Sequence, residues 1–299
     1  MRHPAGQLSP SSDGLQWSVQ WPSSVDYPAS TVAVDGELTC LHRDAYIVVV
    51  EKPAYLPSEN TLVIKDSVRS RMERLVGSTH EAVDETKRTV YLPHRLDWET
   101  SGLLVIALCA DAMRSLSEQF AERRVHKVYV ADVMGGPPTA TGTIELPLAA
   151  DSDRRPCQLV DFGAAGRHAR TEWQTVSQTF CAAERGAATD CIAPHADLPP
   201  NTHPYATRLR LSPDSGRRHQ LRMHCLALGC PIAGDGLYEA PPQCDPVHCG
   251  TRPSRMHLHA AELSFAHPAT GEPMSFTSEP PFQLADATRW ADSRAWCLR

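Results

Sequence analysis

Long apolar runs are missing: no stretch approaches the roughly 20 apolar residues of a membrane-spanning helix. The opening "MRHPAGQLSPSSDG" has no apolar signal core, and Asp13 is an acid where organelle leaders avoid acids. A cytoplasmic protein without membrane contact is therefore expected. No G-x-G-x-x-G follows a strand and no G-x-x-x-x-G-K occurs, so nucleotide-cofactor chemistry lacks its usual phosphate cradle. Internal repeats are absent. A surplus of basic charge is missing as well, because 29 Lys and Arg against 35 Asp and Glu leave a net charge of -6. That disfavours a uniformly basic nucleic-acid binder but not a basic cleft on an acidic body, where screening makes local charge decide.

What is present suits a soluble globular chain: 299 residues, 41% hydrophobic, long enough to bury a large core. The ten cysteines are scattered, so reduced thiols are expected rather than a disulfide scaffold. Two C-x4-C pairs, Cys225 with Cys230 and Cys244 with Cys249, flank His224 and His248. The spacing is wider than zinc sites favour, and five residues along a helix turn two side chains to different faces. No metal is expected. Basic residues cluster in "RSRMERL", "ERRVHK", "GRHAR" and "RLRLSPDSGRRHQLR". Singly these read as solvated surface; together they are candidate phosphate contacts.

Residues 1–35, rich in Ser, Pro and Gly, read as a mobile or loosely docked extension, and residues 286–299 as a tail. Between them, 36–285 read as one catalytic domain with an insertion loop at about 181–204. Ile47 to Val50 form a buried strand closed by Pro53, and "LLVIAL" another. "SVRSRMERLVG" predicts a helix with Val68, Met72 and Leu75 on its buried face and Gly77 as its cap. "ADAMRSLSEQFAERR" predicts a second, with Met113, Leu116 and Phe120 inward and Arg123 and Arg124 complementing its C-terminal dipole. "HKVYVADV", "ARTEWQTV", "YATRLRL" and "MHLHAAELSF" alternate as strands, and "HQLRMHCLALG" is a short helix. Strands with interspersed helices, and no regular alternation, predict an α+β fold with a mixed, mainly antiparallel sheet.

The segment "PHRLDWETSGLLVIAL" seats Asp97 between Arg95 and a turn at Ser101-Gly102. An Asp before a turn is ordinarily a local hydrogen-bonding residue. Here the backbone is constrained by Pro93 and Gly102, and the strand that follows can anchor a functional loop rigidly. A reactive carboxylate must stay ionised when shielded from water, which requires a nearby cation. Arg222, on a helix with Leu221, Cys225 and Leu228, is the candidate, since arginine stays charged and grips a carboxylate with two bonds. Its ordinary alternative is a guanidinium bonded to backbone carbonyls.

"HRLDWETSGLLVIAL" resembles the H-R-L-D-x-x-T-S-G-L-L segment of the RluA-type pseudouridine synthases. "EKPAYLP" resembles their K-P-x-G-L stretch, with Ala54-Tyr55 where a Ser-Gly pair is usual. "HKVYVADVMG", "GRRHQLRMHCLALGCPIAGDGLY" and "LHAAELSFAHPATGEPMSF" resemble further family segments in the same order, over residues 40–282. The resemblance implies an α+β fold around a single RNA-binding cleft, and isomerisation of uridine to pseudouridine in rRNA or tRNA loops without a cofactor. It implies Asp97 as the catalytic aspartate, Tyr129 as the active-site tyrosine and Arg222 as the aspartate's partner. Arg95 would hold the target nucleotide out of its stack, and Arg217, Arg218 and His219 are expected to contact RNA.

A stacked uridine hides its glycosidic bond, so the nucleotide must be extruded, at least cost from a loop. Asp97 is then open to three roles: attack on ribose C1′, attack on uracil C6, or general base. Tyr129 is open to two, proton acceptor or stacking surface. His94 is expected to support the Asp97 loop, and His257 and His259 to pack in the core or at a cleft rim. The partner expected is an RNA stem-loop, and the chain a monomer. The rival reading is a non-catalytic RNA-binding or ribosome-assembly factor on the same scaffold. A two-carboxylate hydrolase is disfavoured because Glu99, two residues along an extended segment, does not promise a shared pocket with Asp97.

Overall fold

The structure, a computed structural model, describes residues 8–10, 16–19, 36–62, 64–77, 90–181, 188–191, 204–238 and 255–284. In chain order these form β1 (Leu8–Pro10), β2 (Gln16–Val19), β3 (Thr39–Arg43), β4 (Ile47–Lys52), α1 (Val68–Gly77), β5 (Ser101–Ala107) and α2 (Ala110–Ala121). Then follow β6 (His126–Met134), β7 (Thr141–Glu145), β8 (Leu148–Ala150), β9 (Gln158–Asp161), β10 (Arg170–Cys181) and β11 (Ala188–Cys191). The last are β12 (Pro204–Pro213), α3 (Gln220–Ala227), β13 (Leu258–Ala266) and β14 (Pro273–Thr277). Two compact units divide the chain: 29–129 with 259–280, and 1–28 with 130–258 and 281–299. Among the described residues, no helix is long and apolar enough to cross a membrane.

In the first unit, β3, β4 and β5 pair antiparallel in that order. β13 joins β5 in parallel and β14 joins β13 antiparallel. The apolar runs in β4 and β5 have no polar face because both faces are covered. Val48, Val50, Leu104 and Ile106 pack with Val68, Met72 and Leu96 on one side. Ile47, Val49, Leu103 and Val105 pack with Ala112, Leu116 and Phe265 on the other. Parallel approach of β13 requires Gly102, whose φ is +112°; a Cβ there would lie 2.3 Å from the Ala260 carbonyl oxygen.

Two helical details differ from expectation. On α1 the buried residues are Val68, Met72 and Val76, while Leu75 is 43% exposed. With 3.6 residues per turn, i+8 continues the stripe of i and i+4, and i+7 falls at its margin. α2 stops at Ala121, before the two arginines. Arg123 turns left-handed at φ 58°, its N–H donating to Phe120 O at 3.2 Å, and Arg124 N–H donates to Gln119 O at 2.9 Å. This is a Schellman closure with an arginine in the position glycine fills best, so Arg123 terminates the helix backbone rather than decorating its dipole.

In the second unit, β10 pairs antiparallel with β7 and β12, and Trp173 covers Gly142 across the ladder. β11 pairs with β10, so the insertion after Phe180 contains a strand where a plain loop was expected. β1, β2, β9 and β8 form a separate antiparallel sheet, which places two strands within residues 1–35. Leu148, Val160, Ala169, Met223, Leu226 and Tyr238 pack around α3. The architecture is the expected α+β one, with β5 and β13 parallel and the other pairs named above antiparallel.

Candidate active site

The segment 94–100 is extended, then turns, with Thr100 N–H donating to Asp97 O at 3.2 Å. Among the described residues no strand pairs with it, and residues 52–59 satisfy its backbone instead. Tyr55 N–H donates to Trp98 O at 2.7 Å, and the Trp98 indole N–H donates back to Tyr55 O. Ser58 Oγ donates to Leu96 O at 2.8 Å and accepts from Leu96 N–H at 3.1 Å. The fully buried Lys52 ammonium donates to the carbonyls of Pro53, Leu56 and Trp98, at 2.9, 2.8 and 3.3 Å. A buried ammonium is tolerable when fixed oxygens surround it, and here it staples the two segments together. At the other end, Val105 N–H donates to His94 Nε2 at 3.1 Å, and the His94 ring stacks on Phe120 with centroids 4.6 Å apart. Burial, with help from the Lys127 charge, pushes His94 down to about 3, so the ring is the neutral acceptor this bond needs. His94 supports the Asp97 loop as expected.

Asp97 is thus held partly exposed at the tip of a rigid segment. Tyr129, from β6, packs against the core beneath it. Burial pushes the Tyr129 phenol up, and the negative charge of Asp97 pushes it further. The phenol therefore remains O–H at neutral pH. Arg95 is exposed, 3.5 Å from Glu59, and available to solvent-side ligands.

In the other unit, Arg222 on α3 is 1% exposed. Its Nε and Nη2 donate to the two oxygens of Asp235 at 2.7 and 2.6 Å, and its guanidinium lies 5.2 Å from the Tyr238 ring centroid. Asp235 also accepts from Leu237 and Tyr238 N–H, at 2.9 and 3.1 Å. Burial alone would raise this carboxyl; the guanidinium and the two amides outweigh it and hold it below its ordinary value. Gly234 allows the turn, since a Cβ there would meet Arg255 O at 2.1 Å. Sequence reasoning missed Asp235, although it lies inside a quoted motif, because a Gly-Asp pair reads as an ordinary turn. Asp132 was missed too: fully buried on β6, it grips Arg208 at 2.7 and 2.9 Å and faces His257 Nδ1 at 3.1 Å.

Arg217 and Arg218 are exposed, as phosphate contacts must be. His219 is buried. It is 6% exposed, adopts φ 52° ahead of α3, and its Nδ1 is 2.7 Å from the Tyr238 hydroxyl. Burial and the Arg222 charge keep it neutral, and it helps shape the α3 entrance. His257 and His259 are core residues: His257 stacks on Phe282, and His259 bridges Ser101 and Ser278. Among the described residues, no group of three or more His, Cys, Asp or Glu is arranged to hold a metal ion. Cys230 lies beyond the end of α3, so the helical-face argument about it and Cys225 does not apply. Burial pushes both thiols up, Cys230 to about 12. Cys244 and Cys249 lie outside the described residues.

A model of the RNA pseudouridylate synthase family matches residues 46–227, and the chain belongs to that family. The dual-specificity RNA pseudouridine synthase RluA of Yersinia pestis is 38% identical over 248 residues, covering 81% of this chain and 98% of the relative. The protein of the same name from Escherichia coli (strain K12) is 36% identical over 247 residues, covering 82% and 94%. Human RNA pseudouridylate synthase domain containing 1 shares the fold, with TM-score 0.61 at 24% identity over 89% of this chain and 91% of that one.

Proposed function

We propose that this chain isomerises uridine to pseudouridine in RNA, with Asp97 as its catalytic carboxylate. The observation that carries the reading is an acid at the tip of a stapled loop, beside a phenol kept protonated, in a member of this family. An RNA binder has no use for a carboxylate rigidly presented toward a polyanion. In the proposed reaction the C1′–N1 bond breaks, the freed uracil turns, and C1′ bonds to C5. The C5 proton is then lost to solvent while N1, freed from the ribose, takes one up, so the product is an isomer and no cofactor is consumed. Asp97 acts from below the everted nucleotide, as nucleophile or as base. Tyr129 orients the base or ribose through its O–H and ring face rather than serving as a phenolate. Arg222, its orientation fixed by Asp235, is proposed to keep the catalytic role that the family resemblance implies.

Arg95 would fill the space the everted nucleotide leaves, and Arg217 and Arg218 would meet the backbone. The substrates favoured are unstacked loops of rRNA or tRNA, acted on by a monomer in the cytoplasm; the RluA relatives are named as dual-specificity RNA pseudouridine synthases. Tritium release from RNA carrying [5-3H]uridine tests the reading. Wild type should release label, and Asp97→Asn should bind RNA yet release none. Binding without release by both proteins would leave the non-catalytic RNA factor as the answer.

A further inference from the structure

Tyr55 has a backbone φ of +64°, one of three described non-glycine residues on the left-handed side. A side chain is strained there, and such strain persists only where the surroundings impose it. The resembling family segment carries a Ser-Gly pair where this chain has Ala54-Tyr55. Both backbone groups that fix the turn, Tyr55 N–H to Trp98 O and Trp98 indole to Tyr55 O, would be available to a glycine as well. The backbone therefore explains the turn but not the ring. The ring stands edge-on to Trp98, centroids 5.3 Å apart at 74°, and both aromatics are partly exposed. Trp98 follows Asp97 directly, so the pair borders the candidate carboxylate.

We propose that Tyr55 and Trp98 form a stacking platform for an unstacked base flanking the target uridine, which makes Tyr55 a specificity-determining residue of this chain. The inference rests on the uridine-isomerase reading above. A base is the fitting ligand because its π face is neutral, whereas a phosphate would be repelled by the adjoining acid. Aromatic faces hold bases with little sequence preference, so the platform selects for an unstacked neighbour, not for one base identity. Arg95, exposed two residues before Asp97 on the same segment, is placed to meet the strand beyond the stacked base.

Tyr55→Gly is an unusual test because glycine suits the existing backbone. The variant should melt at or above the wild-type temperature, so lost activity is not lost folding. On a stem-loop RNA whose modified uridine has been mapped with wild type, we expect kcat/KM by tritium release to fall about 5- to 100-fold. The loss should appear mainly in KM, and Tyr55→Phe should recover most of it. An abasic nucleotide at the stacked neighbour should cost wild type a similar factor and cost Tyr55→Gly little more. Three results would overturn the platform: Tyr55→Gly within twofold of wild type, variant and abasic losses that multiply at both neighbours, or a lowered melting temperature showing that the ring only packs. The enzymatic reading fails separately, if wild type binds the stem-loop without releasing label. In that case the same comparison made on dissociation constants still decides the platform.

Discussion

Removing the charge of Asp235 should be among the most damaging single changes in the second unit. Asp235→Asn keeps the size and the turn but leaves Arg222 Nε and Nη2 facing a neutral amide in a place where both partners are at most 1% exposed. Breaking a buried ion pair from one side costs about 3–5 kcal/mol. The asparagine oxygen can still accept one bond, so the lower end, about 3 kcal/mol, is expected. Against a typical stability of about 5–15 kcal/mol this is large. Urea unfolding followed by tryptophan fluorescence should show a lower midpoint at unchanged slope. The pH dependence has a definite sign. Asp235 is depressed in the folded chain, so its stabilisation is complete above the unfolded carboxyl value of about 3.9 and is lost as pH falls through the lower folded value. The variant should lack that part of the acid limb. Adding Arg222→Met to Asp235→Asn should recover part of the loss, since it also removes the buried guanidinium whose charge Asp235 no longer balances. A destabilisation under about 1 kcal/mol, or an acid limb identical to wild type, would refute the reasoning.

Arg123→Gly should raise stability by about 0.5–1 kcal/mol, because glycine relieves the left-handed strain and keeps both closing N–H bonds of the α2 terminus; a lower melting midpoint would count against it. Arg217→Ala and Arg218→Ala should each weaken RNA binding and reduce the slope of log K against log salt by about 1, measured by anisotropy over a salt series. An unchanged slope would remove that arginine from the backbone contacts. For Tyr129, burial and the Asp97 charge both favour the neutral phenol, so its ionisation lies above the working range. The kcat/KM profile between pH 6 and 10 should therefore have the same shape in wild type and Tyr129→Phe, and a limb present in wild type alone would assign the phenolate a catalytic part.

Where side-chain periodicity decides burial, the sequence was readable. The runs in β4 and β5 could only be strands covered on both faces, and the Asp97 segment could be located because proline, glycine and a following core strand constrain it. Reading failed where a residue's role depends on a partner distant in the chain. His219 sits among arginines, and nothing local announces that its Nδ1 meets the hydroxyl of Tyr238, nineteen residues on. Asp235 looks like turn punctuation until Arg222 is seen across from it, thirteen residues back. Lys52 looks like a surface lysine at a strand end until three carbonyls from two segments close around its ammonium. These three share a cause: a buried polar group must be satisfied, but nothing local says by what. The strained positions fail for the complementary reason. Arg123 and Tyr55 occupy backbone conformations that favour glycine, so propensity pointed away from the turns they make. At Arg123 the helix-terminus hydrogen bonds account for the strain. At Tyr55 they account for the backbone alone, and a ring retained there without backbone need is the feature that directs attention to the RNA beside the target nucleotide.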